Sequence, residues 1–168
     1  MMARAHPQLA LRPFLPADVP MLVEIFRASI EELTADDYSE SQREAWAATA
    51  EDEAAFGARL GKALTLLGTM DGSPVGFASL EGPERLTMLY VHPAAAGHGV
   101  GSMLIDALEK LAGSRGALRL TADVSDSAEE FFKRRGFVPQ QRNTIPLGDE
   151  WLANTTMEKK LAAKERTP

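Results

Sequence analysis

The stretch most able to do chemistry is Tyr90-Val91-His92-Pro93-Ala94-Ala95-Ala96-Gly97-His98-Gly99-Val100-Gly101-Ser102, where three alternate glycines join an apolar segment to an amphipathic one. Such a turn at a helix start exposes several backbone N–H groups, and an anion there is held by hydrogen bonds and by the positive end of the helix dipole. Glycine lets a phosphate approach the main chain with no Cβ in the way. The competing account is purely structural: the glycines only make a tight strand-to-helix turn. Gly97-x-Gly99 with Ser102 in the third small position, and Asp123 about twenty residues on, partly matches the dinucleotide fingerprint. Its context is wrong, because that motif directly follows a first strand and is succeeded by several strand-helix units. Here a His-Pro loop intervenes and little chain follows Asp123. No Gly-Lys-Ser/Thr follows either, so the phosphate loop of nucleotide triphosphatases is excluded.

Composition removes other chemistries. The chain has 168 residues, 45% hydrophobic and 25% charged, with a formal net charge of -6 and no cysteine. That rules out a disulfide scaffold, a thiolate zinc site and a cysteine nucleophile. The three histidines, His6, His92 and His98, are too scattered for an imidazole site, so no metal is expected. The acidic balance argues against nucleic-acid binding, which needs a basic surface. No apolar run approaches a membrane span and no secretory leader opens the chain, so a cytoplasmic protein is the expectation.

The elements that must position the glycine turn are legible from periodicity. Leu9 to Phe14 reads as a strand; Asp18 and Pro20 open a helix carrying Leu22, Ile25, Phe26 and Ile30; a second helix begins near Ser39 and includes Gln42 and Trp46. Thr49 with Asp52 resembles a capping arrangement for a third helix that ends at Gly61. Leu64 to Met70, Val75 to Leu80 and Arg85 to Val91, separated by Asp71-Gly72 and Glu81-Gly82-Pro83, predict an antiparallel meander. Ser102 to Ala112 then forms a crossover helix that stops at Gly113 and leads to the strand Ala117 to Val124, so the strands flanking it are expected to be parallel. A helix from the Ser125-Asp126-Ser127 cluster to Gly136, with Glu129 and Glu130 first and Lys133, Arg134 and Arg135 last, complements the helix dipole at both ends. Phe137 to Ile145 and Trp151 to Lys159 complete the strands, before a polar tail from Ala162. No linker or repeat divides the chain, so one domain over 1–168 is expected.

A strand, a His-Pro loop, Gly97-His98-Gly99-Val100-Gly101 and a long amphipathic helix together resemble the acetyl-CoA signature of the GNAT N-acetyltransferase superfamily. Ala128-Glu129-Glu130-Phe131-Phe132-Lys133-Arg134-Arg135-Gly136-Phe137 is similar to that superfamily's helix ending in an aromatic pair and a Gly-Phe. Asp37-Tyr38-Ser39-x-x-Gln42-x-x-x-Trp46 and Met157-Glu158-Lys159 resemble a bacterial subgroup whose acceptors are mostly undefined. The resemblance implies an α/β fold with a mixed, mostly antiparallel central sheet, helices on both faces and two splayed parallel strands. The pantetheine arm of acetyl-CoA would lie between those strands along Leu89, Tyr90 and Val91, and its pyrophosphate would rest on the main chain of Gly97, His98, Gly99, Val100, Gly101 and Ser102, with Phe132 close by. The chain departs from the family at Ala96, where Arg or Gln is usual, and at Phe132, where a thiolate-protonating tyrosine is frequent; a phenylalanine has no proton to give.

The implied activity is transfer of acetyl to a primary amine of a small molecule, peptide or protein by direct attack, with no metal and no nucleic-acid or membrane partner; a homodimer is compatible with it. By resemblance, the oxyanion donor is the Leu89 N–H. Glu84, or Glu81, is a candidate general base, against the alternative of a solvated turn. Tyr90, Tyr38 or water would protonate the thiolate, and a thiol's reference pKa of roughly 8.5 makes a dedicated acid dispensable. Tyr90 alternates with Leu86 and Met88, which is equally the pattern of a half-buried core aromatic. Tyr38, Gln42 and Trp46 are the acceptor-binding candidates, with Asp36 or Asp37 drawing a cation; the alternative is that they pack or face water. His92 and His98 read as turn residues, while Lys133, Arg134 and Arg135 either cap their helix or meet a nucleotide phosphate. A non-catalytic acyl-CoA-binding or sensing domain of the same fold is the alternative function.

Overall fold

The computed structural model describes residues 6–162, so most of the polar tail lies outside the described residues. Seven strands form one sheet in the order β1-β2-β3-β4-β5-β7-β6. They are β1 (Leu9–Pro13), β2 (Leu64–Met70), β3 (Ser73–Glu81), β4 (Arg85–Val91), β5 (Arg119–Ser125), β6 (Val138–Leu147) and β7 (Glu150–Lys160). Every neighbouring pair is antiparallel except β4 and β5. Helices cover both faces: α1 (Val19–Leu33), α2 (Glu40–Ala47) and α3 (Glu53–Lys62) before the meander, α4 (Val100–Ser114) as the crossover, and α5 (Glu129–Arg134) after β5. The mixed sheet with two-sided helical cover matches the expected fold class.

Each face has its own core. On one, Leu104, Ile105 and Leu108 of α4 pack with Ala78, Leu120, Val124, Phe132 and Met157. On the other, Leu22, Ile25, Phe26 and Ile30 of α1 and Phe56 and Leu60 of α3 meet Leu67, Phe77 and Met88. The helical spacing of α1 therefore marks the stripe that the fold buries.

The meander carries one irregularity with wide effect. Ser79 pairs with Met88 and Leu80 with Leu86, so Thr87 is an extra residue in β4, a β-bulge. The bulge reverses the facing of the strand. Leu86 belongs to the α4 core, whereas Met88 packs in the α1 core and Tyr90 against it. Tyr90 thus shares a face with Met88 and not with Leu86, a correction to the simple alternation, whose period-two rule fails wherever an unpaired residue is inserted.

Several local expectations also shift. Asp52, whose side chain accepts from the Ala55 N–H, caps α3; Thr49 bonds back to Trp46 O instead. Helix α4 begins at Val100, two residues before the expected Ser102, because Gly99 at φ +85° turns the chain directly into it. Asp18 stands at the α1 boundary but caps nothing there. Its carboxylate takes both Nη groups of Arg12, at 2.7 and 2.8 Å, and the Leu15 N–H. The guanidinium bond holds the Asp18 carboxyl below the usual carboxylate range. Among the described residues no helix is long and apolar enough to cross a membrane.

The end of α5 explains why Gly136-Phe137 follows an aromatic pair. Gly136, at φ +93°, donates to Lys133 O and Phe137 donates to Phe132 O, a Schellman closure. The Phe132 and Phe137 rings then meet with centroids 5.0 Å apart. Leu104, fully buried where α4 crosses Gly68 and Gly76, is the residue on which the α4 core turns. Leu104→Ala is expected to lower unfolding free energy by about 2–5 kcal/mol, read as a reduced urea midpoint with unchanged slope.

Candidate active site

Parallel pairing of β4 with β5 is confined to Arg85 with Thr121 and Leu86 with Ala122. Beyond the Thr87 bulge the strands part, and β5 pairs along its length with β7 instead. The resulting gap opens into a cavity of about 500 Å³ whose walls include Leu89 and Val91 of β4, Ala122 and Val124 of β5, and Phe131 and Phe132 of α5. His92 donates its N–H to Val75 O on β3, so strand alternation points the Tyr90 amide the same way and turns the N–H and C=O of Leu89 and Val91 into the gap.

The gap ends at the glycine turn. Gly97, Gly99, Val100, Gly101 and Ser102 all line the cavity. Gly97 and Gly99 lie at φ +80° and +85°, conformations that disfavour a side chain, and a Cβ at either would meet nothing within 4 Å. Gly99 caps α4 without a side-chain bond, and the first main-chain bond of the helix runs from Met103 N–H to Gly99 O. The N–H groups of Val100, Gly101 and Ser102 therefore precede the helical ladder and face open space at the positive end of the dipole. The donors and the clearance suit a phosphate.

The two loop histidines serve the turn. His92 Nδ1 accepts from the Ala94 N–H, and His98 Nδ1 lies 3.2 Å from both Ala95 O and Ala96 O. The His98 ring does not line the cavity, so this residue brings only its main chain to the turn. Of the three basic residues closing α5, Lys133 pairs with Glu129 and Arg135 with Asp106. Arg134 lines the cavity and has no ion pair among the described residues.

A second cavity, of about 380 Å³, adjoins the first on the α1 side of the sheet. Trp46, Thr87, Met88, Tyr90, Asp123 and Ser125 line both and form the junction. Here Trp46 Nε1 donates to the Tyr90 hydroxyl at 3.3 Å, and Tyr90 stacks edge-on against Phe26 with centroids 4.6 Å apart. Burial pushes the Tyr90 hydroxyl up to about 12. Desolvation likewise raises Tyr38, whose hydroxyl donates to Ala153 O and accepts from the Asp126 N–H.

Other expected site residues stand elsewhere. Glu84 lies at the closed end of the β4–β5 pair, where Arg119 donates to it at 3.1 Å, and it lines neither cavity; Glu81 is bound to Arg59. The strand start is where the strands are still joined, so a carboxylate there is remote from the gap. Gln42 also lines neither cavity: it completes a capping box with Ser39 and donates to Trp151 O at 2.8 Å, fixing α2 to β7. Asp37 accepts from Ser127 Oγ, and Asp36 lines neither cavity. Asp123, Ser125 and Thr87 were not anticipated at the site. The polar period-two face Thr121, Asp123, Ser125 on the strand after the crossover helix was the signal available for two of them.

The family model described as an Acetyltransferase (GNAT) domain matches residues 34–161. The chain belongs to the GNAT acetyltransferase family. It is 30% identical over 153 residues, 90% of this chain and 96% of the relative, to the uncharacterized N-acetyltransferase YafP of Escherichia coli K12. A crystal structure of a GCN5-related N-acetyltransferase from Rhodopseudomonas palustris shares 61% identity at TM-score 0.90, covering 96% of this chain and 99% of that one. The PaiA N-acetyltransferase of Thermoplasma acidophilum, in complex with coenzyme A, shares the fold at 22% identity and TM-score 0.76, over 91% and 99% of the two chains. The protein is thus an N-acetyltransferase, and the parted strands and glycine turn are where its GNAT fold holds open space.

Both tyrosine hydroxyls are raised by burial, so in this acetyltransferase they stay protonated at neutral pH. A hydroxyl whose folded pKa lies above its unfolded value supports the fold below the unfolded value, and that support is lost as pH rises from about 10 toward about 12. Phenolate absorbance of the native protein is expected to appear only above the ordinary tyrosine range and to coincide with loss of stability.

Proposed function

We propose that the protein transfers the acetyl group of acetyl-CoA to a primary amine, the pantetheine arm lying in the β4–β5 gap and the pyrophosphate on the turn that opens α4. The parting of β4 from β5 beyond Leu86 carries this reading, because it leaves strand main chain unpaired in a slot that leads to a cluster of free N–H groups. Leu89 and Val91 offer their amides to the arm, Phe132 its ring, and Val100, Gly101 and Ser102 their N–H groups to the phosphates. Ala96 supplies no cation at the turn, and Arg134 at the cavity mouth takes that part. In a protein of net charge -6, this local arrangement is what holds an anionic co-substrate.

Acetyl-CoA brings an activated acyl group, and with no cysteine in the chain the amine attacks it directly. The Leu89 N–H is the donor for the oxyanion. With Phe132 in place of a tyrosine, Tyr90 at the junction supplies a protonated hydroxyl for the departing thiolate. Its oxygen already accepts from Trp46, which leaves its own proton to give.

Calorimetry with acetyl-CoA tests the cofactor site first: at 100 times its dissociation constant the ligand should raise stability by roughly 2.7 kcal/mol. Free thiol released in the presence of an amine then tests catalysis. No binding would sink the proposal, and binding without acceptor-dependent thiol across a broad amine panel would favour a sensor. Gly99→Val places a branched side chain on a left-handed residue before the phosphates and is expected to abolish binding. Arg134→Ala leaves the fold intact and should weaken acetyl-CoA by about tenfold, the loss of one charge-assisted contact, with a shallower salt dependence.

A further inference from the structure

The second cavity combines one carboxylate with a large apolar and aromatic lining. At its junction with the gap stand the Asp123 carboxylate, the Thr87 and Ser125 hydroxyls and the Tyr90 hydroxyl. The rest of the lining is mixed: Phe26 and Phe56 from the buried α1 core and Ile145, Leu147 and Leu152 are apolar, while Tyr38, Thr49, Arg59 and Asn154 are polar. Phe26, Phe56, Tyr90 and Trp46 are linked ring to ring, with centroids 4.6 to 6.3 Å apart. The site therefore offers one anionic group beside the acetyl-transfer position and an aromatic box behind it.

Asp123 is held for that task. Its Oδ1 accepts from Thr156 Oγ1 at 2.6 Å, and Thr156 in turn accepts from Asn143 Nδ2. Oδ2 meets Arg85 Nη2 at 3.2 Å in an ion pair whose side chains are 63% and 40% exposed. Exposed pairs of this kind are weak, so the carboxylate is readily shared with an incoming ammonium. Arg59 lines the same cavity from α3, paired with Glu81. A second cation in the cavity would meet its charge, while an apolar body would lie along its stem.

One wall of the cavity is tied across: the Tyr38 hydroxyl bonds to Ala153 O at 2.5 Å, and both residues line it. Outside the lining, Gln42 Nε2 bonds to Trp151 O at 2.8 Å and fastens α2 to β7. A Cβ on Gly148 would touch Ala45, so the β6–β7 turn rests on α2. The cavity, at about 380 Å³, falls in the range of small-molecule pockets, roughly 300–1,000 Å³.

We infer that the acceptor is a small monoamine with an apolar or aromatic body, its ammonium docked on Asp123 and its body in the box of Phe26, Trp46, Phe56 and Tyr90, and that peptides and polyamines are excluded. The inference rests on the acetyl-transfer reading above. In the reaction one ammonium proton leaves through Asp123 to solvent, the amine nitrogen forms the N–C bond as the C–S bond breaks, the Tyr90 hydroxyl gives its proton to the departing thiolate, and the second amine proton restores that hydroxyl. The products are the N-acetylamine and free CoA thiol.

The test uses the full chain with acetyl-CoA and phenethylamine, hexylamine, spermidine and a short peptide with a free N-terminus. Thiol release is expected with the two apolar amines and at least about tenfold less kcat/KM with the other two, a difference of about 1.4 kcal/mol. Asp123→Asn should raise KM for phenethylamine by about tenfold and leave acetyl-CoA affinity within about twofold. Ala55→Phe, at an exposed position lining the cavity, should block the amine and spare acetyl-CoA, and it avoids the core and the gap. In a Trp151→Phe background Trp46 is the single tryptophan, and phenethylamine should quench its fluorescence without turnover. Spermidine or peptide acetylation in preference to the apolar amines would overturn the inference and leave the acetyltransferase reading standing. So would acetyl-CoA binding with no phenethylamine effect on Trp46. Absence of acetyl-CoA binding would overturn the reading itself and the inference with it.

Discussion

One extra residue in one strand organises this molecule. Thr87 has no partner across β3, and that bulge both ends the pairing of β4 with β5 and reverses which face the rest of β4 presents. A sheet that continued in register past Leu86 would have no slot, and Tyr90 would point into the α4 core. The bulge instead sends Met88 and Tyr90 to the α1 side and leaves the amides of Leu89 and Val91 without a neighbouring strand. Unpaired strand edges normally invite association. This one faces a cavity walled by α4, α5 and β5, so no neighbouring strand reaches its unmet donors and acceptors.

Electrostatics follow the same economy. Most charged side chains near the site are already matched: Glu84 with Arg119, Glu81 with Arg59, Arg85 with Asp123, Arg142 with Asp126. Against this neutralised background the free N–H groups at the start of α4 and the Arg134 guanidinium stand out as positive features, while the junction carboxylate, Asp123, is matched only by an exposed pair. Polarity is thereby separated along the cleft, with N–H donors and a guanidinium at one end and a carboxylate at the junction with the second cavity.

What was legible in the sequence is what is local. The glycine turn follows from residues within a few positions of each other, and the Schellman closure at Gly136 needs only the helix end and the next residue. The parallel relation of β4 and β5 was also legible, because a helical crossover imposes it. The bulge was not, since Leu86-Thr87-Met88 reads as ordinary alternation and the extra residue is defined only against Ser79 and Leu80 across the sheet. The misplacement of Glu84 has the same origin: without the point of parting, either end of β4 is as near to the chemistry as the other. Gln42 was ambiguous for a different reason, because its side chain serves a capping box with Ser39, three residues away, and a bond to Trp151 O, more than a hundred residues away.

The position of β7 has a consequence for how the cleft comes into being. The last strand of the described chain inserts between β5 and β6, and it is the full-length partner of β5, which otherwise holds only two residues of β4. During synthesis the N-terminal helices and the meander can assemble from contacts already made, whereas β5 must wait for Glu150–Lys160 to emerge. One wall of the slot is therefore among the last parts of the protein to become rigid, and a nascent chain cannot present a finished binding cleft until its final strand is in place.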